Sequence, residues 1–402
     1  MWFYRLLISL AAPLLWLNRV WRAKGAAEAI RPAVPDLGTA KTLWIHAASN
    51  GEVTSAKPLL TALLDKDPTL HLMITVNTPS AVTAARGWDL PRSHVSYAPI
   101  DLRWRINGFL KRLNPAGILI IENEFWPNKI LAAHADGIPV LIAGARLSKT
   151  SASRWRYLPK LAQRMTRAIA ALSPQDPASA ERFRTLGLPD AKLLPELNLK
   201  LFYSPRETTG LPTDRAHTIL AASTHDGEDI NVIKAFAAAR RLNPKLRLII
   251  APRHPRRAAA ILEAARLHDL PVAQRSAGEA FQESTALWLA DTMGEMADWY
   301  NAAALCFVGG SLVPKGGHTP FEPAAHGMGL LTGPHIENFA AQFEALETAK
   351  AAQTVPDTNA LTQAFIALPN TSKLRDMGKA AQAYHAQKGT LDPLIDAILK
   401  AL

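Results

Sequence analysis

Glu52, Glu122, Glu124 and Arg253 each stand just after a short apolar run, where a buried strand would release them at its carboxyl end. Carboxylates at such exits can take a proton from a substrate hydroxyl, and a guanidinium there can neutralise a phosphate. The first acid closes the run Trp44–Glu52, WIHAASNGE, in which Ser49 or Asn50 can cap a helix and Gly51 permits a tight turn. Glu52 then falls in the first helical turn, either as a general base or as a partner of the helix dipole worth about 0.3–1 kcal/mol. Glu122 and Glu124 follow ILII in ENEFWPN, before Pro127 starts a helix. They bind hydroxyls or a cation, or they salt-bridge Arg146 or Arg154 and only shape the site. Arg253 follows LIIAP, with His254 as a second donor, while Arg256 and Arg257 are solvated or join the site.

A second group of residues is built on glycine. In Phe307–Gly327, FVGGSLVPKGGHTPFEPAAHG, a strand leads into a loop holding Gly309, Gly310, Gly316 and Gly317, then into a helix carrying Glu322. Glycines at a strand exit let backbone N–H groups turn toward an anionic ligand. The loop has no Gly-Lys-Ser/Thr ending, which excludes a P-loop; it looks like the cradle of a nucleotide sugar. Asp291–Met296, DTMGEM, enters another helix and offers a further wall, and Ser223 or Thr224 in ASTHDGE caps a helix on the facing rim. Asp65 and Asp67 have the Asp-x-Asp form of metal-dependent sugar transferases, but they end a helix before Pro68, so no metal site is assigned. The single cysteine, Cys306, lies in an apolar strand pattern and reads as a core residue of a reducing compartment. No Gly-x-Ser-x-Gly elbow points to a hydrolase.

The elements that position these residues alternate. Thr42–Ala47, Leu70–Val76, Gly117–Ile121, Pro139–Ala143 and Ala168–Leu172 read as buried strands, with helices such as Glu52–Leu64 and Trp126–Ala135 between. After a turn-rich Ser204–Pro212, a second series follows: Thr218–Ala222, Leu246–Ala251, Ala286–Leu289, Leu305–Val308 and Gly329–Leu331. This is α/β architecture: two Rossmann-like doubly wound domains facing a cleft. The expected division is a helix over 1–24, a linker over 25–40, an N-terminal domain over 41–203 and a C-terminal domain over 204–402. The helical tail Ser372–Leu402 is expected to pack back on the first domain.

The 402 residues carry a net charge of +11, which asks for an anionic partner. No nucleic-acid-binding signature accompanies it, so no nucleic acid is assigned. Residues Trp2–Trp21 are apolar, with aromatics at both ends and Arg5, Arg19, Arg22 and Lys24 flanking. The uninterrupted core Leu6–Leu17 is shorter than the about twenty residues of a spanning helix and contains Pro13. A helix lying in, or barely anchored to, an anionic membrane surface is expected, on the cytoplasmic face, with a helix packed on its own protein as the alternative. The basic stretch Arg103–Arg112 contacts anionic headgroups or acceptor phosphates, or is a solvated helix face.

Taken together, HAASNGE at 46–52, ENEFWPN at 122–128, ARLS at 145–148, NLK at 198–200, AASTHDGE at 221–228, APRHPRR at 251–257, DTMGEM at 291–296 and the glycine loop resemble the Kdo transferases (3-deoxy-D-manno-octulosonic acid transferases) of Gram-negative bacteria. The resemblance implies the B-type glycosyltransferase fold, CMP-Kdo as donor and a lipid A precursor as acceptor. The inner membrane's cytoplasmic face is the implied location. It makes Glu52 the catalytic base and Glu124 the second acid, with Ser49, Asn50, Gly51 and Arg146 bordering the acceptor. Arg253 and His254 would meet the donor phosphate. Met293, Gly294, Glu295, Gly309, Gly310, Gly316, Gly317, Thr319 and Glu322 would enclose the donor, Glu322 on its ribose. Direct displacement, with inversion, would need no cofactor or metal. Asn50 replaces a small apolar residue of the family pattern, Thr319 replaces asparagine, and residues 25–40 are shortened. The rivals are a transferase of the same fold with another nucleotide sugar or acceptor, and a silent membrane paralogue that binds lipid or nucleotide.

Overall fold

The computed structural model describes residues 2–22, 32–122, 124–205, 211 and 213–402. Lys24, part of the linker expected over 25–40, Asn123, and residues 206–210 and 212 of the inter-domain turn lie outside the described residues, as do the side chains of Arg19 and Arg22. Two compact units form: Met1–Phe202 with Gly389–Leu402, and Tyr203–Lys388.

The first unit carries strands β1 (Thr42–His46), β2 (His71–Val76), β3 (Ser93–Tyr97), β4 (Gly117–Ile121), β5 (Val140–Ala145) and β6 (Ala171–Pro174) in the order β3-β2-β1-β4-β5-β6. All pairings are parallel. The central runs TLWIH and GILII are buried throughout because helices cover both faces of the sheet. β3, SHVSY, is a partly exposed edge strand without a continuous apolar run, and the sequence pattern misses it. The chain reverses its winding between β1 and β4. That switch point is where ligands of doubly wound sheets bind, outside the strands' carboxyl ends. Glu52 follows β1, and Glu122 and Glu124 follow β4.

The second unit repeats the plan with β7 (Thr218–Thr224), β8 (Arg247–Pro252), β9 (Val272–Gln274), β10 (Leu287–Leu289), β11 (Leu305–Val308), β12 (Gly329–Thr332) and β13 (Ala352–Thr354), in the order β13-β12-β11-β7-β8-β10-β9. The three-residue strands β9 and β13 are edges that the sequence pattern does not mark. Here the switch point falls between β7 and β11, which release ASTHDGE and the glycine loop. The two exits run so close that a Cβ on Gly309 would lie 2.6 Å from the Ser223 carbonyl oxygen. Cys306 in β11 is fully buried, and burial pushes its thiol far above the ordinary range, so it is a core residue.

The expected tail divides. Ser372–Ala386 packs on the second unit around Leu374, Met377 and Ala381. The last helix, Asp392–Ala401, instead buries Leu394, Ile395 and Ile398 in the core beside β1, so the domain expected over 204–402 ends at Lys388. At the other terminus, helix Trp2–Arg22 contains Pro13 and lies against the first unit through Tyr4 and Ile8. Among the described residues, no helix is long and apolar enough to cross a membrane.

Ile398 is 0% exposed. Ile398→Ala should therefore cost about 2–5 kcal/mol, seen in calorimetry as a lowered transition of the first unit. A shift confined to the second unit's transition would contradict the placement of this helix.

Candidate active site

In the first unit three carboxylates gather at the switch point, each held differently. Ser49 is the N-cap of helix Asn50–Lys66; its hydroxyl oxygen accepts the Glu52 N–H at 3.3 Å and its proton is donated to Glu52 Oε1 at 3.2 Å. Glu52 Oε2 also accepts the Ala48 N–H at 2.7 Å. This is a variant of the capping box in which the carboxylate takes the Ala48 N–H in place of that of the N-cap residue, so Glu52 does stabilise the helix start. It is nevertheless far from an ordinary capping acid. Burial, then the charges of Glu122 and Glu124, outweigh those hydrogen bonds and raise its pKa to about 7. Among the described residues no cation pairs with it. Asn50 and Gly51 beside it are exposed, and nothing stands within 4 Å of where a Gly51 Cβ would be.

Glu122 and Glu124 each have a basic partner. Glu122 sits just past β4 in a left-handed conformation, φ 54°, and its carboxylate pairs with Lys200 at 2.7 Å. Such backbone strain in a non-glycine residue persists only where its surroundings enforce it. Glu124 accepts from His46 Nε2 at 2.9 Å and Trp126 Nε1 at 2.5 Å. Burial opposes its charge, but His46, Lys129 and Trp126 prevail and hold its pKa at about 2. A carboxylate ionised at neutral pH accepts only, so His46 must carry a proton on Nε2. The Nδ1 of His46 lies 3.1 Å from Thr75 Oγ1, which also accepts the Trp44 indole N–H at 2.8 Å. Sequence reasoning gave His46 and Lys200 no role and set Arg146 or Arg154 against the acids. The partners that the structure brings to them are Lys200 and His46. Arg146 lines a cavity of about 240 Å³ with Glu122, Glu124 and Trp126.

In the second unit the glycine loop already holds an anion of its own. Glu228 is fully buried. Its carboxylate accepts the N–H groups of His225 at 2.9 Å, Gly310 at 2.7 Å, Ser311 at 2.9 Å and Leu312 at 2.8 Å. Gly309, Gly317 and His318 donate to backbone oxygens. Of the glycine amides expected to turn toward a ligand, those of Gly309, Gly310 and Gly317 are thus spent internally, and the glycines serve close approach and the positive φ of Gly310, Gly316 and Gly317 (72°, 82° and 72°). The only sequence sign of Glu228 is an acid opening a helix. The caps expected of Ser223 and Thr224 do not form: Gly227 occupies the N-cap, and Ser223 lies within β7 in a left-handed conformation. The helix bearing Glu322, Phe321–Ala325, has only five residues, and Tyr300 hydrogen-bonds Glu322.

Arg253 and His254 are exposed just past β8, and among the described residues no carboxylate pairs with Arg253. Arg257, by contrast, is tied to Asp226 at 2.5 Å and Asp229 at 2.7 Å. His225 and His318 stack, their Nε2 atoms 2.8 Å apart, and burial holds His318 down at about pKa 4. Two neutral rings can share that bond, one donating. Met293 is exposed, Gly294 has φ 92°, Glu295 pairs with Arg275 at 2.7 Å, and Thr319 Oγ1 accepts the Phe321 N–H at 3.4 Å. Asp67, of the Asp-x-Asp pair, binds Lys41 and Thr69 at the helix end. Among the described residues no His, Cys, Asp and Glu cluster has the arrangement of a metal site.

A family model described as 3-deoxy-D-manno-octulosonic-acid transferase (kdotransferase) matches residues 18–203. A 3-deoxy-D-manno-octulosonic acid transferase of Haemophilus influenzae is 34% identical over 367 residues, 89% of this chain and 86% of the relative. One of Bordetella pertussis is 34% identical over 433 residues, 98% of each chain. Among solved structures, UDP-GlcNAc 2-epimerase from Neisseria meningitidis superposes with a TM-score of 0.61 at 13% identity, covering 90% of this chain and 100% of that one. At that identity the likeness concerns the fold alone.

The raised pKa of Glu52 separates its capping role from its buried charge. A carboxyl raised from 4.5 to about 7 by folding favours the native state fully below 4.5, and that contribution is lost as pH rises through 7. Glu52→Gln should therefore gain about 1–3 kcal/mol relative to wild type between pH 4 and pH 8 in denaturant titrations. A difference that does not change with pH would leave Glu52 as a helix cap alone.

Proposed function

The chain belongs to the 3-deoxy-D-manno-octulosonic acid transferase family, and from that premise we propose that it moves Kdo from CMP-Kdo to a lipid A precursor with inversion at the anomeric carbon. It is a glycosyltransferase built from two Rossmann-like parallel-sheet domains of the B-type glycosyltransferase fold. The observation that carries the mechanism is the Glu52 carboxyl, unpaired by any cation among the described residues and poised near pH 7 at the switch point.

In this reading Glu52 takes the proton of a glucosamine hydroxyl as that oxygen attacks the anomeric carbon of Kdo. The bond from that carbon to the CMP phosphate oxygen breaks, and CMP leaves with the electron pair. Arg253, paired with no carboxylate among the described residues, and His254 offset the charge of the leaving phosphate. The glycine loop shapes the donor pocket rather than supplying its anion contacts, with Met293, Gly294, Glu295, Thr319 and Glu322 around it. Glu124, fixed as a carboxylate, accepts from acceptor hydroxyls, while Ser49, Asn50, Gly51 and Arg146 border them. The chemistry as written uses no metal and no cofactor.

The proposed location is the cytoplasmic face of the inner membrane. Leu10 and Leu14 of the N-terminal helix are 68% and 72% exposed, and Trp104 of helix Arg103–Leu113 is 67% exposed beside Arg105 and Arg112. Apolar side chains with neighbouring cations suit an anionic bilayer interface.

Purified protein given CMP-Kdo and a tetra-acylated lipid A precursor should add one or more Kdo masses to the lipid. Glu52→Gln should lower turnover about 10²–10⁴-fold, and Arg253→Ala should raise the donor KM about tenfold or more. Full turnover in the Glu52 variant, or no transfer by wild type, would refute the reading.

A further inference from the structure

The N-terminal helix is joined to the catalytic segment and is more than a tether. The Tyr4 hydroxyl donates to Asp101 at 2.7 Å, and burial followed by that carboxylate pushes its pKa far upward. Asp101 also accepts the N–H groups of Asn128 at 2.9 Å and Lys129 at 2.8 Å, the first residues of the helix that follows Glu124. Arg5 Nε adds a bond to Asn128 Oδ1 at 3.3 Å. Of two successive residues of the N-terminal helix, Arg5 therefore bonds the ENEFWPN segment directly, and Tyr4 reaches it through Asp101.

Tyr4, Ile8 and Leu15 lie on one helical face, at spacings of four and seven. Tyr4 lines the cavity that contains Glu122 and Arg146. Ile8 and Leu15 line a second cavity of about 230 Å³, and Glu124 and Trp126 border both. The second cavity is graded. Ile8, Leu15, Pro99 and Ile100 make apolar walls, and Glu124, His46 and Lys129 supply the polar groups. Pro99 also lines the basic cavity of Trp104, Arg105 and Arg112, so the apolar walls adjoin cations that suit anionic headgroups.

We infer that the N-terminal helix forms a wall of the acceptor site. The cavity bounded by Ile8 and Leu15 takes the first methylenes of an acyl chain on an amphiphilic acceptor whose polar end reaches Glu124. This rests on the lipid-acceptor reading above and adds to it that the helix itself distinguishes lipid from deacylated acceptor. Displacing about two buried methylenes costs about tenfold in affinity.

The test compares Ile8→Trp and Leu15→Trp with wild type. Each is assayed with CMP-Kdo and either a tetra-acylated glucosamine disaccharide bisphosphate or its deacylated form, and sedimented with anionic phospholipid vesicles. Leu15, 42% exposed, tolerates the larger ring if Ile8→Trp does not fold. The expected result is a rise of about tenfold in the KM ratio of acylated to deacylated acceptor, with vesicle binding unchanged. An unchanged ratio, or a change that only follows lost vesicle binding, would overturn the inference and leave the helix an anchor. Wild-type protein that uses neither acceptor would instead refute the proposed function, and this inference with it.

Discussion

Three carboxylates crowd one end of a parallel sheet, and among the described residues only two of them have a basic partner. Glu122 has Lys200 and Glu124 has His46, with Lys129 adding its charge to the second. Glu52 is left with the Ala48 amide and the Ser49 hydroxyl, and with two negative neighbours. The imbalance accounts for the opposite behaviour of two acids in one site: one ionised throughout the physiological range, the other poised near neutrality. Environments that push neighbouring carboxyls apart are how one fold separates a base from a fixed charge. The supporting parts serve this difference. Thr75 and Trp44 steady His46, and the Tyr4–Asp101 bond steadies the start of the helix behind Glu124.

The second unit handles negative charge the other way. Its switch point is filled by the protein's own anion, Glu228, which binds four backbone N–H groups and fixes the glycine loop without a ligand. Preorganisation of that kind avoids ordering the loop during each turnover. In the proposed function, phosphate recognition then falls to side chains. Among the described residues Arg253 has no carboxylate partner, whereas Arg257 four residues on is spent on Asp226 and Asp229.

Much of this was legible in the sequence, for physical reasons. Continuous apolar runs such as GILII and TLWIH announce strands buried on both faces, and their ends mark where Glu52, Glu122, Glu124 and Arg253 emerge. Edge strands such as β3 and β9 escaped because they are short or half-exposed and need no apolar run. The partners of the acids escaped for another reason. His46 lies 78 positions from Glu124, and Lys200 belongs to a short 3₁₀ turn after the last strand of the first sheet. No local pattern encodes such pairings. The internal partners of the Gly309, Gly310 and Gly317 amides escaped because glycine spacing reports backbone freedom and not which acceptor the amides find. The last helix is a similar case: Leu394, Ile395 and Ile398 mark an apolar face, but only the fold shows which core receives it.

The most direct test of the central claim is the pH dependence of kcat/KM for sugar transfer by wild type and Glu52→Gln. Such a profile reports the ionisation of the free enzyme's essential base. With Glu52 poised at about 7, wild-type kcat/KM should climb through neutral pH, and the variant should lack that limb. A limb near 4.5, or one that survives in Glu52→Gln, would contradict the account and assign the proton to another group.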